Sequence, residues 1–428
     1  MESSISQSSA ERLDLLLRLT QSFNSTLDLD EILTRLMDEV ITATRAERGF
    51  VMLFDGEQLT FRAARGLDQH TIQAPEFQIS RGVVEQVARE GQAVLTSNAL
   101  ADLRFKQRQS VLNLKLRSIL CVPLKIKDTN LGVIYVDNRL QAGLFSPSDL
   151  DLLTAIASSA AIALENARLY RVAVDQGRME RELQLARKVQ ASLLLHTMPQ
   201  LPGWDFAARW LPAREVAGDY YDFISLSGAA PALGLVIADV TDKGMPAALF
   251  MAFTRTVVRV SVDHAASPAD GIAYANRLIC AENTGGLFVS LFYGLLNPAT
   301  AQFTYVNAGH NAPLHYRRSE AQITALSNSG MPLGVDSDVK YEQHTLEFAP
   351  GDVLFLYTDG VTDALNEHDE EFGTQRLRQV LIDHPTDSAA DIITALEQAL
   401  HTFAGQVPPF DDMTMMVVRR HHRAIIAA

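Results

Sequence analysis

The sequence contains little cysteine and no long apolar run, and each absence excludes a class of protein. Only two cysteines occur, Cys121 and Cys280, far apart and in no spacing typical of metal ligands. This excludes a disulfide-stabilised scaffold and a zinc knuckle, and it favours a reducing, cytoplasmic environment. No run approaches the roughly 18 consecutive apolar residues of a membrane span, and no basic segment followed by an apolar one opens the chain. We therefore expect neither a membrane segment nor a signal peptide.

Positive charge is scarce in the second half of the chain. The formal net charge is −14, from 37 Lys and Arg against 51 Asp and Glu. Residues 200–428 hold 14 basic and 27 acidic side chains, so almost all of the excess lies there. Binding of nucleic acid depends on phosphate neutralisation by Lys and Arg, which makes this half a poor surface for it. We expect no nucleic acid partner.

The length predicts more than one domain. A chain of 428 residues exceeds the usual domain size of about 100–200 residues, so we expect at least two cores. Changes of hydrophobic period and turn residues predict an N-terminal helix at 1–27, an α/β domain at 28–167, a helical linker at 168–198, a second domain at 199–420 and a tail at 421–428.

Residues 28–167 show the patterns of helices and hairpins in alternation. Turn residues predict one hairpin around Asp55-Gly56 and another around 128–130, and Ser146 followed by Pro147 predicts the start of a long helix. With VPL before the second hairpin strand and VDN after it, this order resembles a GAF domain. The resemblance implies an α/β sensor with a central antiparallel sheet and a pocket for a small-molecule ligand.

The GAF domains that bind cyclic nucleotides share a further signature, Asn-Lys, then Phe, then Asp-Glu. Here Asn138 is followed by Arg139, Phe145 is present, and Asp149 is followed by Leu150. The match is partial, and Phe145 and Asp149 are explained more simply as a core residue and a helix cap. The identity of a GAF ligand stays open.

A heptad register runs through the linker and predicts a coiled coil. Seven of its ten positions are apolar, which favours a helix that pairs with a second copy of itself in a homodimer. The alternative is a helix that packs on its own domain. These ten positions, called the seam below, are Ile162, Glu165, Leu169, Val172, Gln176, Met179, Leu183, Ala186, Gln190 and Leu193.

In residues 200–428 carboxylates recur at the ends of apolar strand patterns. They are Asp219 and Asp222 in GDYYD, Asp239 after GLVIA, Asp359 after VLFLYT, and Asp411 and Asp412 before MTMMVV. A carboxylate at the end of a buried strand is costly unless it is paired or bound to a cation, so we expect these ends to converge. An all-oxygen cluster suits magnesium or manganese, and two such ions hold a hydroxide nucleophile.

The motifs GDYYD, ADVTDKGMPAALFM, NAGHNAPL, GMPLG, YTDGVTDA and DDMTMMVV follow one another in this order. Through them residues 196–420 resemble the stage II sporulation protein E type of serine/threonine phosphatase, a branch of the phosphatase-2C superfamily. The resemblance implies an α/β sandwich of two antiparallel sheets flanked by helices. It also implies hydrolysis of phosphoserine or phosphothreonine by a hydroxide that bridges two Mn or Mg ions. The implied substrate is a phosphorylated STAS-domain anti-sigma-factor antagonist in a partner-switching pathway.

The resemblance further implies a role for each acidic residue. Asp239 would bridge both metals, and the carbonyl of Val240 would complete one coordination sphere. Asp359 and Asp411 would hold one metal, and Asp219 the other, largely through waters. Asp222 and Asp412 would orient ligands or waters. Arg214, five residues before Asp219, would bind the substrate phosphate; the alternative is a solvated surface arginine.

One motif departs from the commonest pattern of the family, Asp-Val-Ser-Gly-His-Gly. Here it reads Asp-Val-Thr-Asp-Lys-Gly over residues 239–244. Thr241 cannot act as a general acid, so a metal-bound water is the expected proton donor, with Lys243 as an alternative. His310 in NAGHN is expected to shape a turn and not to bind metal.

A second hypothesis for the whole chain is a non-catalytic, partner-binding sensor with a decayed phosphatase fold. Retention of Asp219, Asp239, Asp359 and Asp411 favours the enzyme.

Overall fold

The computed structural model describes residues 14–422 except positions 15, 24, 67, 69, 73–78, 103, 106–111, 113, 195–196, 227–231 and 284. The chain divides into two compact units, Met1–Arg178 and Met179–Ala428, called unit 1 and unit 2. Two predicted segments extend beyond the described residues: the N-terminal helix over 1–13 and the tail over 423–428.

Unit 1 contains one five-stranded antiparallel sheet in the order β2-β1-β5-β4-β3. Both predicted hairpins form, since β1 pairs with β2 and β4 with β5. The elements, with the long helix that follows them, are α1 (Leu29–Thr44), β1 (Arg48–Asp55), β2 (Gln58–Gly66), α2 (Arg81–Glu90), β3 (Val94–Thr96), β4 (Ser118–Ile126), β5 (Thr129–Asn138) and α3 (Pro147–Leu193).

The period-two pattern of the strands buries both faces of this sheet. Val51 and Ile134 face a core shared with α1 and the first turns of α3. Phe50 and Tyr135 face a second core that includes α2. Alternation of apolar side chains along a strand places neighbours on opposite faces, so helices cover the sheet on both sides.

Helix α3 begins where the sequence predicts. The hydroxyl of Ser146 accepts a hydrogen bond from the backbone N–H of Asp149 at 3.3 Å, and the Asp149 carboxylate accepts one from the N–H of Ser146 at 2.8 Å. This reciprocal cap satisfies two backbone donors of the first turn. The helix then continues for 47 residues, which includes the whole seam.

Unit 2 contains two five-stranded antiparallel sheets, β13-β10-β9-β8-β7 and β12-β11-β14-β15-β6. Its elements are β6 (Trp204–Leu211), β7 (Tyr220–Leu226), β8 (Ala232–Val240), α4 (Met245–Asp263), α5 (Pro268–Glu282), β9 (Val289–Asn297), β10 (Gln302–Ala308), β11 (Leu314–Arg317), β12 (Gln322–Ala325), β13 (His344–Glu347), β14 (Val353–Tyr357), the helical turn α6 (Asp359–Thr362), α7 (Gly373–Asp383), α8 (Ala389–Ala404) and β15 (Met413–Arg420).

The core of unit 2 lies between its sheets. One cluster of buried side chains joins Leu235 and Phe292 of the first sheet to Leu354 and Met416 of the second, and includes residues of α4 and α5. A separate cluster joins the second sheet to α7 and α8. The sheets are therefore stacked with helices outside them, which confirms the predicted sandwich.

Two helices among the described residues, α3 and α4, are long and apolar enough to cross a membrane by length and composition alone. Half of the most apolar stretch of α3 is buried within the structure. Core helices of soluble proteins pass the same test, so these helices do not indicate a membrane protein.

Candidate active site

The predicted carboxylates meet because the strands that carry them end side by side. Asp219 immediately precedes β7, and Asp239 lies next to the end of β8; these strands are antiparallel, with Tyr220 opposite Ala238. In the other sheet Asp359 follows β14 and Asp411 precedes β15, and these strands are also antiparallel neighbours. Each sheet thus contributes acidic residues from two adjoining strand ends.

Five of these side chains form what we call the carboxylate cluster: Asp219, Asp239, Asp359, Asp411 and Asp412. Burial, and then the charges of Asp359, Asp411 and Asp412, raise the pKa of Asp239 from 3.8 to about 7. Burial, and then the charge of Asp239, raise the pKa of Asp219 well above its usual value. Burial, followed by the charges of Asp363 and Asp411, also raises the pKa of Asp359. Full ionisation of the cluster therefore requires compensating positive charge.

Two buried threonines of the second sheet hold Asp219. The hydroxyls of Thr358 and Thr414 donate to Asp219 Oδ2 at 2.7 and 2.8 Å. The backbone N–H of Thr414 in turn donates to the hydroxyl of Thr358 at 2.9 Å. Asp219 belongs to the first sheet, so these bonds join the two layers at the site. Sequence reasoning missed both threonines, although each lies within two residues of a predicted carboxylate.

Asp412 organises the segment that precedes Asp219. Its Oδ1 accepts a hydrogen bond from the N–H of Ala213 and its Oδ2 one from the N–H of Gly218, both at 2.8 Å. Burial raises the pKa of Asp412, and these two backbone donors oppose the rise. Arg214 is exposed on the segment that these bonds hold. Asp412 thus shapes the loop between β6 and Asp219.

Asp222 has partners different from those that the sequence analysis considered. Its buried carboxylate binds Arg259 through Nε at 2.5 Å and Nη2 at 3.0 Å, and lies 3.2 Å from Nε of Arg255. Both arginines belong to α4, so this ion pair ties β7 to that helix. A role for Asp222 in orienting metal ligands stays a prediction.

Close backbone contacts require glycine at two points around the cluster. A Cβ atom on Gly218 would lie 2.9 Å from the carbonyl oxygen of Val240, the predicted metal ligand. A Cβ atom on Gly360 would lie 2.1 Å from the carbonyl oxygen of Asp412. These distances are too short for any side chain, which explains the glycines of GDYYD and YTDG.

The loop between β8 and α4 places Lys243 beside the cluster. Its ammonium lies 2.8 Å from Asp411 Oδ2 and donates to the carbonyl oxygen of Phe410 at 2.9 Å. It also lies 3.8 Å from the centre of the Phe410 ring. The Thr241 hydroxyl donates to the carbonyl oxygen of Phe288 at 3.0 Å, so it is engaged in holding the loop.

His310 is buried beside the strand that carries Asp239. Its Nδ1 lies 2.7 Å from the hydroxyl of Ser290, which is the register partner of Asp239 in β9. Burial lowers the pKa of His310 from 6.5 to about 4, so the ring is neutral near pH 7. The N–H of His310 donates to the side chain of Asn307 at 2.8 Å, which closes the turn after β10.

The donor set fits divalent cations of the Mg or Mn class. Among the described residues, no group of three or more His, Cys, Asp or Glu side chains forms a ready-made metal site. However, the cluster contains only oxygen donors, and the raised pKa values of Asp219, Asp239 and Asp359 show that these carboxylates lack compensating positive charge. The ammonium of Lys243 contacts Asp411. Carboxylate oxygens in this number are the ligands that these cations prefer.

Comparison with known families identifies two domains. Residues 26–165 match the family described as GAF domain, and residues 230–421 match Stage II sporulation protein E (SpoIIE). Both resemblances inferred from the motifs are confirmed.

Two curated relatives extend this comparison. The chain is 31% identical over 275 residues to Protein IcfG of Synechocystis sp., a match that covers 58% of this chain and 43% of that protein. It is 29% identical over 245 residues to Phosphoserine phosphatase RsbU of Bacillus subtilis, which covers 57% of this chain and 72% of that protein. The chain thus spans less than half the length of the first relative.

A solved structure shows the same fold. The SiaA-PP2C domain of Pseudomonas aeruginosa superposes with a TM-score of 0.51 at 21% identity, over 58% of this chain and 99% of that domain. At this identity the likeness concerns the fold alone.

Proposed function

Because the chain carries a GAF domain and a stage II sporulation protein E type domain homologous to phosphoserine phosphatases, we propose that it is a GAF-regulated, metal-dependent protein serine/threonine phosphatase. The observation that carries the proposal is the convergence of carboxylates from both sheets of unit 2 into one cluster with raised pKa values.

In this proposal the cluster holds two Mn or Mg ions. Asp239 would serve both ions, and the Val240 carbonyl would complete the coordination sphere of one. Asp359 and Asp411 would hold one ion, and Asp219 would contact the other, largely through waters. When bound, the two ions supply a hydroxide nucleophile and neutralise charge on the phosphoryl group. The residues of the chain position these donors: the hydroxyls of Thr358 and Thr414 fix Oδ2 of Asp219.

The substrate is proposed to be a phosphorylated protein. Arg214 is exposed on the loop that Asp412 holds, where its guanidinium can bind a phosphate group with two hydrogen bonds. The family resemblance favours a STAS-domain anti-sigma-factor antagonist as the natural substrate, in a cytoplasmic partner-switching pathway.

The N-terminal part of the seam supports a homodimer, whereas Gln190 near its C-terminal end is buried and bonded to Ala217 of the same chain. Ile162, Leu169, Val172 and Met179 are each half or more exposed in a single chain. Apolar side chains repeated at heptad spacing on an open helix face are typical of a coiled coil. We propose that a second copy covers them and that a small molecule in the GAF domain controls the phosphatase.

The test is phosphate release from a phosphoserine peptide by the full chain with Mn²⁺ or Mg²⁺. Asp239→Asn and Asp359→Asn should each abolish release, as should EDTA. Asp338→Asn alters an exposed carboxylate of unit 2 and should retain wild-type release. Normal turnover in the two cluster variants would exclude the proposed mechanism. A folded, metal-binding wild type without turnover on any phosphoprotein would favour the non-catalytic sensor.

A further inference from the structure

The ammonium group of Lys243 lies against the carboxylate of Asp411, which is a metal ligand under the proposed function. The ammonium contacts the Asp411 carboxylate at 2.8 Å, the Phe410 carbonyl at 2.9 Å and the face of the Phe410 ring at 3.8 Å. The Lys243 and Asp411 side chains are 29% and 34% exposed, so both are half-buried. Three separate contacts thus hold the ammonium between the Asp411 carboxylate and Phe410.

The backbone of the loop is shaped to present this lysine. Asp242 has a φ of 75° and Gly244 a φ of 79°, so left-handed residues lie on both sides of Lys243. The Asp242 carboxylate accepts a hydrogen bond from the backbone N–H of Lys243 at 2.8 Å, which compensates for this conformation. The turn ends at the first residue of α4. The direction of the lysine side chain is thus set by the loop.

The charge of Lys243 acts on one side of the cluster. Its ammonium lies 2.8 Å from Asp411 Oδ2. Asp359 and Asp411 are the two residues assigned to the same metal under the proposed function. The ammonium therefore stands at one of the two proposed metal positions.

We propose that Lys243 is a tethered competitor that lowers the affinity of the Asp359/Asp411 position for its divalent cation. This inference rests on the proposed function, because it requires Asp411 to be a metal ligand. A metal that uses Asp411 Oδ2 must displace the ammonium, and two cations in contact with one carboxylate repel each other. Removal of the ammonium should therefore strengthen binding at that position by about two- to fivefold, the scale of a partly exposed ion pair.

The test is a Mn²⁺ titration of the full chain, with free Mn²⁺ counted by its paramagnetic resonance signal. We expect Lys243→Gln to bind one of its ions about two- to fivefold more tightly than wild type does. Lys340→Gln removes an exposed lysine of unit 2 and should not change affinity. In an Asp411→Asn background, where the contested oxygen is absent, Lys243→Gln should have a much smaller effect. Thermal unfolding in EDTA verifies that every variant is folded.

The outcomes separate this inference from the proposed function. Equal or weaker Mn²⁺ binding by Lys243→Gln, with binding by wild type intact, would overturn the role of Lys243 and leave the metal site standing. If Lys243→Gln strengthens Mn²⁺ binding equally in the wild-type and Asp411→Asn backgrounds, the effect of the lysine is one of general charge. That result would also overturn the proposed role of Lys243. Absence of binding by both wild type and Lys243→Gln would overturn the metal site and this inference together.

Discussion

Gln190 makes a two-way hydrogen-bonded pair with the backbone of Ala217. Its Nε2 donates to the Ala217 carbonyl at 2.7 Å, and its Oε1 accepts the Ala217 N–H at 3.0 Å. Gln190 lies in the last turns of α3, and Ala217 lies two residues before Asp219. The bond therefore attaches the end of the linker helix to the loop that presents a proposed metal ligand.

Replacement of Gln190 by alanine should loosen that loop. The buried N–H and C=O of Ala217 would lose their partners, which costs about 1–3 kcal/mol of unfolding free energy. We expect weaker Mn²⁺ binding and slower phosphate release in the same variant. Urea unfolding and Mn²⁺ titration of the full chain measure both effects. Gln184→Ala, at an exposed position of the same helix, should change neither.

Thr414→Val keeps the shape of the side chain but removes its hydroxyl, and it should weaken metal binding at the proposed site. Asp219 Oδ2 would lose one of its two hydroxyl donors at a buried position, a loss of about 1–3 kcal/mol. We expect the metal affinity of the Asp219 position to fall with it. Thr414→Ser restores the hydroxyl and should recover most of the affinity. Equal Mn²⁺ affinities for the valine variant and wild type would exclude a role for the threonine in positioning Asp219.

The raised pKa of Asp239 predicts a definite dependence of stability on pH in the metal-free protein. The pKa of Asp239 in the folded state is about 7, against 3.8 for a free carboxyl. The folded state therefore binds more protons than the unfolded state between these pH values. The contribution of Asp239 to unfolding free energy should thus decline as pH rises from about 4 to about 7, and level off above. Urea unfolding in EDTA over this range, with Asp239→Asn for comparison, measures it. The decline of unfolding free energy with pH should be smaller in Asp239→Asn. With saturating Mn²⁺ in place of EDTA, the unfolding free energy of the wild type should rise with pH instead.

A charge in the middle of the seam should break the proposed dimer. Val172→Glu places carboxylates opposite each other in a paired helix, and we expect a monomer in light scattering at micromolar concentration. Val174→Glu alters an exposed position of the same helix outside the seam and should leave the dimer intact. A wild-type protein that is already monomeric at this concentration would contradict the dimer itself.

The sequence predicted features that depend on local pattern and missed those that depend on packing between distant segments. Apolar strand patterns that end in Asp239 and Asp359 were sufficient to predict that the carboxylates converge, whereas the two sheets were implied by the family resemblance. The bonds from Thr358 to Asp219 span 139 residues and exist only once the sheets stack. Likewise, the pairing of Asp222 with α4 depends on which face of that helix meets β7, a matter that charge spacing alone does not decide.

The position of β6 in its sheet has a consequence for the order of events during synthesis. This strand is the first of unit 2, yet it lies at the edge of its sheet with β15, the last strand, as its hydrogen-bonded neighbour. A nascent chain must therefore hold β6 unpaired until residues near 420 have left the ribosome, and pairing over such a separation is slow. Asp411 and Asp412 emerge with the same final strand. The sandwich and its carboxylate cluster are thus completed together, so a ribosome-bound intermediate that lacks β15 has no complete cluster with which to carry out the proposed reaction.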